Sequence, residues 1–367
     1  MSPATLSRPT GASLGTKLLS ATGRWVARRT GDPVLGQFVE MTGQWIPLSA
    51  LGTLITWKVA MAMGTGLSRV GFLRRLFMGR LPLFHCLNRR LDEAAESMAL
   101  RPIRSEAEAR MWCAVLGIDS DADLSKPLAA YRTPNELFTH APGPGTRPVA
   151  SPNDDSVICA PCDGSYAFFD STEHLASFVV KQSHFDLSRL LGDAPEELTS
   201  SFVGGPAAYL WLSLRDNHRW YAPISGRVRF VERRAAQQSG MMGLFLEDGY
   251  LEANSRAILI IEGETGKRVA FIPVGLSPIN SVTPMVRAGE LVCKGAPLGT
   301  FEVGGSAGVL LFDRRTPVSF DAPPQQFRTT EDLLNLNYVP EANKARRQLG
   351  QSIGEWRRES PGVENHV

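Results

Sequence analysis

The sequence lacks an apolar run long enough to cross a membrane. Its best stretch, Trp45 to Trp57, holds 13 uncharged, mostly apolar residues and resumes after Lys58 as Val59 to Leu67. A spanning helix needs about 20 apolar residues in succession, so an interfacial helix or a buried core helix fits better. The first 30 residues show no apolar stretch ahead of a cleavage site, so no secretory signal is expected. Cysteine is scarce and odd in number. Cys86, Cys113, Cys159, Cys162 and Cys293 are scattered, which argues against a disulfide framework. Cys159 and Cys162 have the spacing of a metal or redox pair, but no second ligand pair stands at a suitable distance. Pro161 and Asp163-Gly164 read as a strand ending in a turn. Small residues packed around that turn, with no metal, are the expectation.

Excess charge is missing as well. Against 39 Lys and Arg stand 37 Asp and Glu, a net charge of +2, and no nucleic-acid-binding pattern is read. The balance hides an asymmetry: residues 1–80 carry ten Lys and Arg against only Asp32 and Glu40, a balance of +8, leaving −6 for the rest. A basic segment with Trp45 and Trp57 beside a mildly acidic body suits an anionic surface such as lipid head groups, or is simply a solvated basic face. Peripheral membrane association on the cytoplasmic side is the expectation.

What is present divides the chain. Residues 1–130 read as a basic helical region, with helical propensity over Leu87 to Leu100 and a capped start at Ser105-Glu106-Ala107-Glu108 leading to Leu116. Residues 131–155 form a Pro/Gly-rich connector. Over 156–320 the pattern becomes short apolar strands between Gly, Pro and Asp turns: Ser156–Cys159, Ala167–Phe169, Ala208–Ser213, Gly226–Val231, Ala257–Glu262, Arg268–Val274 and Val309–Leu311. One helix, Asp186 to Leu191, interrupts them. Residues 321–367 read as a helical extension, with helices starting at Thr329 and running from Glu341 to Arg358, where Leu349, Ile353 and Trp356 share one side. The expected class is α+β: a β-rich core under an α-helical N-terminal layer.

Within the core, Gly304-Gly305-Ser306 reads as a small-residue turn between strands. Two glycines open conformations that let the Ser306 hydroxyl approach the Gly305 carbonyl. Attack there, an N-to-O acyl shift and elimination would give two chains, the second headed by a pyruvoyl group, an electron sink for decarboxylation. On its own the triplet is an ordinary turn.

Further motifs appear in order. Phe138 with Arg147-Pro148, Cys159-Ala160-Pro161-Cys162-Asp163-Gly164, Asp216-Asn217-His218-Arg219-Trp220-Tyr221-Ala222-Pro223, Asn254-Ser255-Arg256, Phe271-Ile272-Pro273-Val274-Gly275 and Lys294-Gly295-Ala296-Pro297-Leu298-Gly299-Thr300-Phe301 precede Gly305-Ser306. Over roughly residues 125 to 313 the chain resembles the pyruvoyl-dependent phosphatidylserine decarboxylases. The resemblance implies a decarboxylase that cleaves itself at Gly305-Ser306 into two associated chains and converts phosphatidylserine to phosphatidylethanolamine. It implies Ser306 as pyruvoyl precursor, Asp163 as the group that orients and charge-stabilises the processing base, and His218 at the decarboxylation step. Tyr221 stands where the family has a second histidine, and Ala307 where it has Thr or Ser. A phenol with a pKa near 10 is a poor base beside an imidazole near 6.5. So His218 or a water takes that role, with Tyr221 as hydrogen-bond donor, or the chain stays whole. Arg256 suits a substrate carboxylate or phosphate, or is a strand-edge arginine. The alternatives to the phospholipid reaction are decarboxylation of a soluble amino acid and an unprocessed, lipid-binding relative.

Overall fold

Ala257 to Ile261 and Val309 to Phe312 are apolar without a break, the pattern of strands buried on both faces, and each of these side chains is fully buried. In the computed structural model they lie near the middle of one large sheet. The structure describes residues 93, 96–177, 186–213, 215–236, 250–279, 281–324 and 345–357. The basic segment 1–80, with its Trp45–Trp57 run, and the helix expected from Thr329 lie outside the described residues.

In chain order the helices are α1 (Glu106–Leu116), α2 (Pro134–Phe138), α3 (Thr172–Ser177), α4 (Leu187–Leu191), α5 (Glu196–Thr199) and α6 (Tyr250–Ala253). The strands are β1 (Val157–Cys159), β2 (Gly164–Phe169), β3 (Ala207–Leu212), β4 (Arg219–Tyr221), β5 (Gly226–Arg234), β6 (Arg256–Glu262) and β7 (Arg268–Pro278). They continue as β8 (Val282–Pro284), β9 (Leu291–Val292), β10 (Pro297–Phe301), β11 (Gly304–Phe312), β12 (Val318–Phe320), β13 (Ala345–Arg347) and β14 (Ser352–Trp356). Ser105 caps α1 by accepting from the Glu108 N–H, and Asp186 caps α4 in the same way through Ser188 and Arg189. Both helix starts were legible as local hydrogen-bonding patterns.

The strands form an antiparallel eight-stranded sheet in the order β13-β2-β3-β11-β7-β6-β5-β9 and two three-stranded sheets, β1-β14-β12 and β4-β10-β8. One face of the large sheet packs Phe271, Leu259, Leu310 and Phe312 against Trp220, Leu298, Phe301, Ile353 and Trp356 of the small sheets. The other packs Ile258, Ile272, Val309 and Leu311 against Leu190, Leu191, Leu198 and Leu251 of the helices. Helices, large sheet and small sheets thus make three layers, an α+β arrangement dominated by strand. A third cluster, Trp112, Leu116, Tyr131, Leu137 and Phe138, belongs to α1 and α2 and takes Val303 against it. No described helix is long and apolar enough to cross a membrane.

Three expectations change. Residues 131–155 are not a mere linker: they contain α2, and Arg147 is bound into the core through Asp163. The helix expected over 341–358 is absent from the described residues there, which form β13 and β14. Leu349, Ile353 and Trp356 mimic helical spacing, but Gly350 between the strands holds φ 82°, a left-handed turn, and β14 pairs with both β1 and β12. Gly304-Gly305-Ser306 is not a turn between strands but the start of β11 itself.

Candidate active site

Ser306 opens the central strand. It pairs with Leu212 of β3 on one side and Gly275 of β7 on the other, and the β7 register slips between Gly304 and Ser306. A bulge breaks the regular ladder and re-aims side chains, and here it falls between Gly304 and Ser306, the stretch that contains the Gly305–Ser306 peptide bond. The approach is also pinned from α2: Asn135 donates to the Glu302 carboxylate at 2.5 Å and accepts from the Val303 N–H at 3.0 Å.

Side chains alternate across a strand, so Ser306 shares a face with Leu310 and Phe312 and looks toward the small sheets. There it meets His218, whose Nδ1 lies 3.0 Å from Ser306 Oγ. His218 Nε2 lies 3.1 Å from the Ser213 carbonyl. A carbonyl only accepts, so Nε2 carries the proton, Nδ1 is bare, and the Ser306 hydroxyl donates to it. Ser306 and His218 are only 2% and 1% exposed. Phe138 stacks on the imidazole at 3.7 Å between ring centroids, and Phe301 meets it edge-on at 6.2 Å. Burial between these rings lowers the His218 pKa to about 3, against smaller upward pulls from the Ser213 carbonyl and Asp163. The imidazole is therefore neutral near pH 7, with a lone pair on the serine.

Asp163 supports this pair without touching it. Its carboxylate takes Arg147 Nη2 at 2.7 Å and Nε at 3.0 Å. It also accepts the backbone N–H of Leu349 at 2.7 Å and of Asn217, the residue before His218, at 3.3 Å. Gly164 follows it because a Cβ there would lie 2.7 Å from the Trp211 carbonyl oxygen.

Tyr221 follows Trp220 on β4, with Trp220 in the core and Tyr221 half-buried. Burial raises its phenol pKa, with Arg219 opposing and Asp163 reinforcing. Among the described residues, its backbone N–H donates to Pro161 and no hydrogen bond joins its side chain to His218 or Ser306. Arg256 departs from expectation altogether. By strand alternation it faces the helices, opposite to Ser306. Its guanidinium donates to the carbonyls of Leu190 (3.1 Å), Arg189 (2.8 Å) and Glu252. A fork already filled by buried carbonyls is a structural tie, not a substrate contact.

Cys159 and Cys162 are buried thiols whose pKa values burial raises. Among the described residues no group of three His, Cys, Asp or Glu is placed to hold a metal ion. His140 lies beside the site: Asn217 Nδ2 donates to its Nε2 at 3.1 Å, while its Nδ1 donates to the Leu137 carbonyl. Ser213, Asn217, His140 and Leu349 are the supports that the sequence did not reveal. Asn217 alone had a motif neighbour to suggest it.

The sequence model of the phosphatidylserine decarboxylase family matches residues 134–335. A phosphatidylserine decarboxylase proenzyme of Chlamydia felis is 30% identical over 237 residues, 63% of this chain and 73% of that protein. One of Chlamydia trachomatis is 30% identical over 232 residues, 63% and 72% of the two. Phosphatidylserine decarboxylase proenzyme 3 of Schizosaccharomyces pombe is 27% identical over 236 residues, 63% of this chain and 23% of that protein.

Proposed function

Taking as premise that the chain belongs to the phosphatidylserine decarboxylase family and decarboxylates phosphatidylserine, we propose that it makes its own pyruvoyl group by cutting the Gly305–Ser306 bond, with His218 as base. The hydrogen bond from Ser306 Oγ to His218 Nδ1, at the break in the β11–β7 ladder, carries the reading. Ser306 Oγ gives its proton to Nδ1 as it attacks the Gly305 carbonyl carbon. The Gly305–Ser306 C–N bond breaks and the acyl group moves to oxygen. Loss of the Ser306 Cα proton expels Gly305 as a carboxylate, and hydrolysis releases ammonia and leaves a pyruvoyl group at the head of the second chain. A base with so low a pKa is weak, which suits a reaction that each molecule performs once. Tyr221 is not needed as the base, so its replacement of a histidine does not stop cleavage.

The residues present fit that group. Ser306 lies in a closed, apolar-walled position where a carbonyl is shielded from water, with an imidazole nitrogen beside it. When formed, the group supplies an electrophilic carbonyl that takes up electrons as carbon dioxide leaves. Phe138 and Phe301 keep water away, and His218 Nδ1 offers a proton-exchanging atom next to the first residue of the second chain. Segment 1–80, basic and carrying two tryptophans in its apolar run, serves in this reading as a peripheral contact with the cytoplasmic face of the membrane.

Intact mass measurement of the purified chain beside Ser306→Ala tests the cleavage. Two fragments divided between Gly305 and Ser306 are expected, the second with a pyruvoyl end, and one whole chain for the variant. A homogeneous uncleaved protein that still releases carbon dioxide from phosphatidylserine would sink the reading. Sedimentation with phosphatidylserine vesicles tests the membrane contact. The full chain should pellet and a form lacking residues 1–80 should not; equal pelleting of both removes that assignment.

A further inference from the structure

The Ser213 carbonyl sets the His218 tautomer, and Ser213 is itself held. The Asp216 carboxylate accepts the Ser213 N–H at 2.6 Å and the Ser213 hydroxyl at 2.9 Å. Asp216 is only 5% exposed, and its oxygens also take the guanidinium of Arg346 on β13. Arg346, Asp216, Ser213, His218 and Ser306 thus form one connected line. Three residues beyond Arg346, the Leu349 N–H holds Asp163. A short segment downstream of the serine therefore grips both carboxylates that flank the site.

We infer that Arg346 is a positioning residue for self-cleavage: through Asp216 it fixes the Ser213 turn, and so keeps His218 Nδ1 bare and aimed at Ser306. The inference rests on the reading that Ser306 is the cleavage serine. Without Arg346 the Asp216 carboxylate that braces the Ser213 turn loses the group that holds it in place, and the turn is left to its own bonds between Ser213 and Asp216. The imidazole is then free to rotate or to move its proton to Nδ1, where it no longer accepts from the serine. A purely structural role predicts something different. The Arg346 side chain is half solvent-exposed but the Asp216 side chain is buried, so losing Arg346 leaves a buried carboxylate short of a partner and costs stability. A structural role alone would show that cost with the cleavage rate per folded molecule unchanged.

The test follows the appearance of the two fragments over time in freshly synthesised full-length chain. Arg346→Ala should cleave about 10- to 100-fold more slowly, the scale of a misplaced reacting group, and Arg346→Lys should recover part of the rate. Melting temperature is compared in a Ser306→Ala background so that both proteins are whole, and the cleavage rate is taken per folded molecule, so that lost stability is not read as lost rate. Arg347→Ala, whose guanidinium among the described residues donates to the carbonyls of Ser352 and Arg346, should keep the parent rate. Combined with Asp216→Asn, Arg346→Ala should add no further slowing, because the two act in one line. Parent-rate cleavage by Arg346→Ala, or effects that multiply with Asp216→Asn, would overturn the inference and leave the cleavage reading standing. A parent chain that never cleaves would overturn the cleavage reading itself, and this inference with it.

Discussion

At the scale of the residue, the site trades basicity for certainty of protonation state. Phe138 and Phe301 desolvate His218, and desolvation disfavours the charged imidazolium. The unfolded chain takes up a proton at this histidine near pH 6.5, while the folded chain does so only near pH 3. Between those values the unfolded state binds the extra proton, so folding stability falls as pH is lowered through that window, by roughly 5 kcal/mol at its end. Burial lowers the pKa of His140 as well, which acts in the same direction. In a Ser306→Ala background, stability should therefore drop steeply from about pH 6.5 downward, and His218→Gln should flatten the drop. The cleavage rate should show no acid limb near pH 6.5, since Nδ1 stays bare far below it. A half-maximal rate near pH 6.5 would mean that His218 titrates as an ordinary histidine and that the walls do not shield it.

Among the elements, the strands with long apolar runs were legible because burial on both faces leaves a continuous signal. β6, β7 and the end of β11 need little more than composition. Ser306, His218 and Asp163 were legible only through their surrounding motifs, and the structure brings all three to one place. What escaped was whatever depends on distant backbone. The Leu349 N–H on Asp163 and the Asp216–Arg346 pair join positions far apart in sequence, and the Ser213 carbonyl, though only five residues from His218, is a backbone group with no residue signature. β13 and β14 escaped because their apolar residues fall at helical intervals while Gly350 and strand pairing decide otherwise. Arg256 misled for a related reason, since a motif gives an arginine's position and strand parity gives its face. Here the arginine ties β6 to the ends of α4 and α6. Arg256→Met should leave those buried carbonyls unpaired, costing about 2–3 kcal/mol and lowering Tm by several degrees. Cleavage per folded molecule and the KM for phosphatidylserine should not change. A raised KM with unchanged Tm would restore the substrate-binding role and refute the structural one.

For the whole molecule, the proposed cut falls at the start of β11, one of the two central strands of the large sheet, and this decides what becomes of the two products. After cleavage β11 belongs to the second chain, yet from Ser306 to Leu311 it is laddered to β3, and from Ser306 to Phe312 to β7. The same chain supplies β12 and β14, which enclose the far side of the core with Val318, Ile353 and Trp356, and β13, which edges the large sheet on β2. Separating the fragments would therefore mean opening two sheets. It would expose Val309, Leu310, Leu311, Phe312, Ile353 and Trp356, at about 1.5–3 kcal/mol for each large apolar side chain. Together these six amount to about 9–18 kcal/mol, to which the backbone bonds of the two ladders add, against an entropic cost of association of about 4–15 kcal/mol. The cleaved protein should elute from size exclusion as one species containing both fragments, and should stay so on dilution to micromolar concentration. The fragments should part only under denaturant, in the same transition that unfolds the sheet. Release of the second chain on dilution in native buffer would mean that β11 does not hold its place between β3 and β7 once the bond is cut.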